Sequence, residues 1–109
     1  MNANRSSVTV VNYGAGNILS VTRALSHVGV DVTITAEPAG VATAERILLP
    51  GVGAFGKAMD ELAKRELIEP LRAYAKSGRP FLGICLGMQL MLDQSEEFGN
   101  QEGLGLIAG

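Results

Sequence analysis

Apolar residues in this chain arrive in short aliphatic bursts, separated by longer stretches in which they recur every three or four positions. Val8-Thr9-Val10-Val11 is the first burst. It breaks at Asn12-Tyr13-Gly14-Ala15-Gly16-Asn17, after which Ile18, Val21, Leu25 and Val28 repeat at helical spacing. Gly29 stops that helix, and Val30-Asp31-Val32-Thr33-Ile34-Thr35 alternates apolar with polar, which predicts a strand wet on one face and close to a sheet edge. Ile47-Leu48-Leu49 is apolar throughout, as an interior parallel strand is.

Beyond Pro50-Gly51-Val52-Gly53, the positions Phe55, Met59, Leu62 and Ala63 mark one face of a helix, with Lys57, Asp60, Glu61 and Lys64 largely on the other. A second helix follows closely, with Pro70 in its first turn, Leu67, Leu71 and Tyr74 inward, and Gly78 as its stop. Phe81 to Ile84 then reads as a strand, and a largely buried helix is predicted from Met88 to about Gln94. This β–α alternation implies a parallel, doubly wound sheet with right-handed crossovers. Ligands of such sheets bind beyond the carboxyl ends of the strands, where three glycine-rich loops leave: Asn12–Asn17, Pro50–Gly53 and Cys85–Gly87.

Composition narrows the classes. A chain of 109 residues, 47% hydrophobic and 18% charged, fits one compact domain and not a disordered polymer. Its formal net charge of −2 favours neither nucleic acid nor an anionic membrane surface as a partner. The longest apolar run, Phe81 to Leu92, is interrupted by glycines and Gln89 and falls short of the ~20 residues a membrane span needs. One cysteine makes no intrachain disulfide, and the opening Met1–Ser7 leads into an apolar stretch too short for a signal peptide, so the cytosol is the expected compartment.

The candidate chemistry centres on that cysteine. In Gly83-Ile84-Cys85-Leu86-Gly87, Cys85 sits between two glycines where a strand runs into a helix, the thiol form of a nucleophile elbow. A free thiol with a pKa of ~8.5 is only a few per cent thiolate at neutral pH, so a helix start helps it. The Leu86 N–H, just after the nucleophile, is expected to be free to donate to an oxyanion. The alternative is a small cysteine packed in the core; the flanking glycines favour the nucleophile. Pro50-Gly51-Val52-Gly53 is either the second half of an oxyanion hole or an ordinary strand-to-helix turn.

Other signals are weaker. Gly14-Ala15-Gly16 opens like a dinucleotide fingerprint, but Leu19 stands where the third glycine belongs, and no cofactor is expected. No metal site is expected either. His27, the sole histidine, falls near the end of the first helix, opposite the strand rim, and suits a surface capping role. Gln89, one turn past the cysteine among apolar neighbours, suggests a polar partner. Ser95-Glu96-Glu97 is expected to close the last helix.

Pro50-Gly51-Val52-Gly53 and Gly83-Ile84-Cys85-Leu86-Gly87-Met88-Gln89 together resemble the two signature motifs of class I (triad-type) glutamine amidotransferases. Met88 and the Val52 turn, with Asn12–Asn17 and Gly103–Ile107, are most similar to the branch formed by the glutaminase subunits of imidazole glycerol phosphate synthase, in histidine biosynthesis. The resemblance implies a three-layer, flavodoxin-like open parallel sheet. It implies Cys85 as nucleophile towards glutamine, with main-chain donors at Val52, Gly53 and Leu86 forming the oxyanion hole. Gln89, Glu97 and Gly53 would hold the amino-acid end of the substrate. Asn17 would face a cyclase subunit, the partner in a heterodimer that receives the ammonia.

Family members run to about two hundred residues, and their catalytic His and Glu lie well downstream of the cysteine. No histidine follows Cys85 here. The expectation is a truncated domain, residues 1–109 forming the nucleophile half, with little glutaminase activity alone and sheet surface left open. Two alternatives stay open at this point: another thiol enzyme on the same fold, such as a related amidotransferase, a DJ-1-like protein or a peptidase, and a non-catalytic binding module with an inert, buried Cys85.

Overall fold

A computed structural model describes residues 6–14, 18–92, 94–95 and 101–107. Four parallel strands form one sheet in the order β2-β1-β3-β4, with β1 at Ser7–Val11, β2 at Asp31–Thr35, β3 at Ile47–Leu49 and β4 at Phe81–Gly83. This is the α/β, flavodoxin-like arrangement. β2 is an edge strand, as its alternating pattern predicts, and β3 is interior and wholly buried.

The helices separate onto two faces because right-handed crossovers in opposite directions along the sheet lie on opposite sides. α1 (Ile18–His27) covers one face. On the other lie α2 (Pro38–Thr43), α3 (Phe55–Lys64), α4 (Ile68–Lys76) and the short α5 (Leu86–Leu90), whose buried side chains join Val11, Ile47 and Leu49 in a single core. The stripe of α3 that enters this core is Phe55, Ala58 and Leu62; Ala63, expected inward, is exposed.

The α1 face is only partly covered. Ile34, Val10, Leu48 and Leu82 are cross-strand partners in one row across the sheet. Val10 and Leu48 in the middle are buried, while Ile34 and Leu82 at the two ends are 50% and 57% exposed. A single helix of ten residues spans too little width to shield all four strands, and α1 itself has no buried residue.

Two stretches of the chain depart from the sequence reading. α2 is an additional helix, and α5 ends at Leu90 rather than near Gln94. Gln94–Ser95 forms β5, paired antiparallel with β6 (Gln101–Glu102), so Ser95 does not close a helix. The returning segment supplies the reason: Leu104 N–H donates to the Leu90 carbonyl at 2.7 Å, Leu106 N–H to Met91 at 2.8 Å and Gly105 N–H to Leu92 at 3.1 Å. These amides occupy carbonyls that a longer helix would need.

α3 ends in a Schellman turn. Leu67 N–H reaches back to the Leu62 carbonyl and Glu66 N–H to Ala63, with Leu62 and Leu67 both buried. The left-handed position of that turn, usually glycine, is Glu66 at φ 57°. Glu66→Gly is therefore expected to stabilise the chain by about 1 kcal/mol. Urea unfolding checks this, with a higher midpoint at unchanged slope expected; a lower midpoint would contradict it.

Candidate active site

The turn after β4 is held by its neighbours in a conformation that side chains avoid. Cys85 adopts φ 54° and ψ −124°. For a residue other than glycine such a backbone costs on the order of 1–3 kcal/mol and persists only where the surroundings over-determine it. Here they do: Ile84 N–H donates to the Leu49 carbonyl at 3.0 Å, Gly87 N–H to Ile84 at 2.9 Å and Met88 N–H to Cys85 at 3.0 Å.

Glycine is required on both sides of the cysteine. A Cβ on Gly83 would lie 2.7 Å from the Met88 Cα, and one on Gly87 would lie 2.7 Å from the Leu49 carbonyl carbon. The result is a free thiol exposed to solvent. Cys85 is thus not the small, buried core residue of the alternative reading. Around it the rim is apolar and open, with Ile84, Met88 and Val52 all exposed. Gln89 on α5 is exposed as well, so its setting is wetter than its apolar sequence neighbours suggest.

The second loop interlocks with the first. A Cβ on Gly51 would sit 2.8 Å from the Gly87 nitrogen and 2.9 Å from the Leu86 Cβ, so Pro50–Gly53 runs directly against the start of α5. Gly53 takes φ 98°, open only to residues without a side-chain penalty, and is exposed. One expectation fails in this structure: the Leu86 N–H is not free, because it donates to the Gly51 carbonyl at 3.1 Å. The three amides that open α5 therefore all have acceptors inside the chain.

A polar cleft of about 470 Å³ lies beside the same loop, lined by Gly14, Val52, Gly53, Ala54, Lys57, Ala58, Glu61 and Arg65. Arg65 is paired with the Glu61 carboxylate. That hydrogen bond is the main cause that holds the Glu61 carboxyl below its ordinary range; desolvation opposes it, and the charge of Lys64 adds a lesser lowering effect. Cys85 is not part of the cleft wall.

Tyr13 is the residue that sequence reasoning passed over. Its hydroxyl is buried and donates to the Pro50 carbonyl at 2.6 Å. The signal was available as an aromatic hydroxyl heading a rim loop, but a tyrosine beside glycines also reads as ordinary core. Asn17 and Glu97 fall outside the described residues. His27 is exposed at the end of α1. Among the described residues no three His, Cys, Asp or Glu side chains gather as a metal site, and no helix is long and apolar enough to cross a membrane.

Comparison with known proteins adds to this geometry. The family model for class-I glutamine amidotransferases matches residues 9–101, taking in all three rim loops and the strained cysteine. The chain belongs to this family. Among its curated relatives within the amidotransferases, imidazole glycerol phosphate synthase subunit HisH 1 of Legionella pneumophila (strain Lens) is 53% identical over 104 residues, 95% of this chain and 49% of the relative. Subunit HisH of Synechococcus elongatus is 50% identical over 107 residues, 98% of this chain and 49% of the relative. Subunit HisH of Rhodopirellula baltica is 47% identical over 102 residues, 94% and 50% of the two chains. The chain spans about half the length of the curated relatives it matches.

Solved structures agree on the fold. A Listeria monocytogenes protein provisionally assigned to peptidase E superposes with a TM-score of 0.74 at 16% identity, covering 97% of this chain and 66% of that one. A Thermoplasma acidophilum protein provisionally assigned as one subunit of GMP synthase gives 0.60 at 22% identity, covering 81% and 44%. At these identities the amidotransferase chain shares their architecture, and nothing about substrate follows.

Proposed function

We propose that residues 1–109 are the nucleophile-bearing part of a glutaminase subunit of imidazole glycerol phosphate synthase, working in the cytosol in histidine biosynthesis. The observation that carries this reading is the exposed Cys85 at φ 54°, interlocked with Pro50–Gly53, in a chain about half identical to three HisH subunits. The Cys85 thiolate attacks the side-chain amide carbon of glutamine. The C–N bond breaks, ammonia leaves carrying the proton that the thiol gave up, and a thioester remains. Water then cleaves the thioester to glutamate and restores the thiol.

The tetrahedral oxyanion needs main-chain donors at Leu86 and at Val52 or Gly53, each contributing about 3 kcal/mol by analogy with single-donor deletions. In the geometry described, Leu86 N–H is committed to the Gly51 carbonyl. Rotation of the Gly51–Val52 peptide releases that amide and turns the Val52 N–H towards the place the carbonyl held. Gly51 has the torsional freedom for this. Gln89, Glu97 and Gly53 hold the amino-acid end of glutamine, and Asn17 faces the cyclase subunit that takes the ammonia. The reaction calls for no metal or cofactor.

The chain alone supplies a nucleophile without a histidine base after it. A missing general base costs ~10²- to 10⁴-fold, so the chain by itself is expected to release little glutamate. Mixing it with a separately made downstream portion of a HisH relative and the cyclase subunit is expected to restore glutamate release, and Cys85→Ser to abolish it. Silence of the mixture, under conditions where a full-length relative works with the same cyclase, would sink the reading.

A further inference from the structure

Tyr13 stands at the head of the first rim loop, yet its side chain points away from the rim, into the core, and is 1% exposed. Its hydroxyl donates to the Pro50 carbonyl at 2.6 Å and would lie 2.6 Å from a Cβ on Gly51. The phenol therefore touches the chain just upstream of the carbonyl that blocks Leu86. Burial pushes the phenol well above its ordinary value, which keeps the hydroxyl protonated and donating through the neutral range.

The consequence is mechanical. Turning the Pro50–Gly51 peptide would break a buried O–H···O bond and strand its acceptor, which is costly. Among the described residues, the backbone bond broken by turning the Gly51–Val52 peptide is the one from Leu86 N–H. The tether thus divides a short loop into a fixed half and a movable half, with Gly51, which carries no side chain, as the pivot.

We propose that Tyr13 is a positioning residue: its hydroxyl anchors Pro50 and thereby sets the orientation of the Gly51–Val52 peptide, which decides whether the Leu86 amide is available to an oxyanion. The catalytic meaning rests on the function proposed above; the anchoring does not.

Amide hydrogen exchange on the folded chain, read by NMR in the parent and in Tyr13→Phe, tests it. Phenylalanine keeps the ring in the core. Leu86 N–H is expected to exchange about fivefold to tenfold faster, the size expected for losing one hydrogen bond. Ile84 N–H, bonded to the Leu49 carbonyl upstream of the tether, is expected to stay within about twofold. Equal acceleration at both sites, or at neither, would overturn the proposal, since a merely structural hydroxyl moves them together. Should Tyr13→Phe not fold, 3-fluorotyrosine in place of Tyr13, a stronger donor of nearly the same size, is expected to slow Leu86 selectively. Unchanged Leu86 exchange would then overturn the proposal.

In the reconstituted mixture, Tyr13→Phe is expected to change kcat for glutamate release with KM for glutamine unmoved. A selective Leu86 signature in a mixture whose parent releases no glutamate would keep the anchoring and dismiss the glutaminase. A working parent without the signature would do the reverse.

Discussion

Gly87→Ala is expected to destabilise the chain by at least about 3 kcal/mol, a large share of the roughly 5–15 kcal/mol by which a typical domain is stable. The added methyl would meet the Leu49 carbonyl oxygen well inside contact distance, the Leu49 carbonyl carbon at 2.7 Å and the Pro50 carbonyl carbon at 3.1 Å. All three atoms are backbone, so no rotamer change relieves the clash. The end of β3 would have to part from α5, taking with it the Leu86–Gly51 and Ile84–Leu49 hydrogen bonds. Urea unfolding by circular dichroism measures the loss. A change below about 1 kcal/mol, the size of a tolerated overpacking, would show that β3 and α5 are not in contact as described.

At Cys85 the expected signs of stability and chemistry are opposed. Alanine to glycine ordinarily costs roughly 0.5–1 kcal/mol, because glycine loses more freedom on folding. At φ 54° and ψ −124° the order reverses, since glycine enters this conformation without the side-chain penalty. Cys85→Gly is expected to be about 1 kcal/mol more stable than Cys85→Ala, while both abolish thiol labelling and any glutaminase turnover of the reconstituted mixture. Paired unfolding curves give the first result and intact mass after thiol labelling the second. If Cys85→Ala were the more stable, the turn would not hold the strain that its geometry indicates.

The sequence made the rim legible because each of its parts depends on local spacing. A β-branched burst, a glycine break and a 3.6-residue repeat give β1 and the helix after it, and paired glycines around Cys85 report a tight bend wherever they occur. The alternation in Val30–Thr35 even marked β2 as an edge. What was missed depends on contacts distant in sequence. The Pro38-Ala39-Gly40-Val41-Ala42-Thr43 stretch has weak helix propensity, but Arg79 donates to the carbonyls of Ala42 and Ala44, and Val41 is buried. The early end of α5 likewise depends on amides some fifteen residues later in the chain.

The occupied Leu86 amide is the most informative of these misses. Position in the motif announces a donor, whereas only the path of the neighbouring loop shows what it currently binds. The sequence points to a candidate donor, and the fold shows the acceptor that holds it. The same holds for Tyr13, whose hydroxyl gains meaning from Pro50, thirty-seven residues away.

The claim on which the function depends is that Cys85 meets glutamine as a nucleophile. It is tested most directly by exposing the mixture of this chain, the downstream portion and the cyclase to an electrophilic glutamine analogue, and mapping the adduct by mass spectrometry. One adduct, located on Cys85 and suppressed by excess glutamine, is the predicted result. Labelling elsewhere, or labelling of Cys85 that glutamine leaves unchanged, would contradict it.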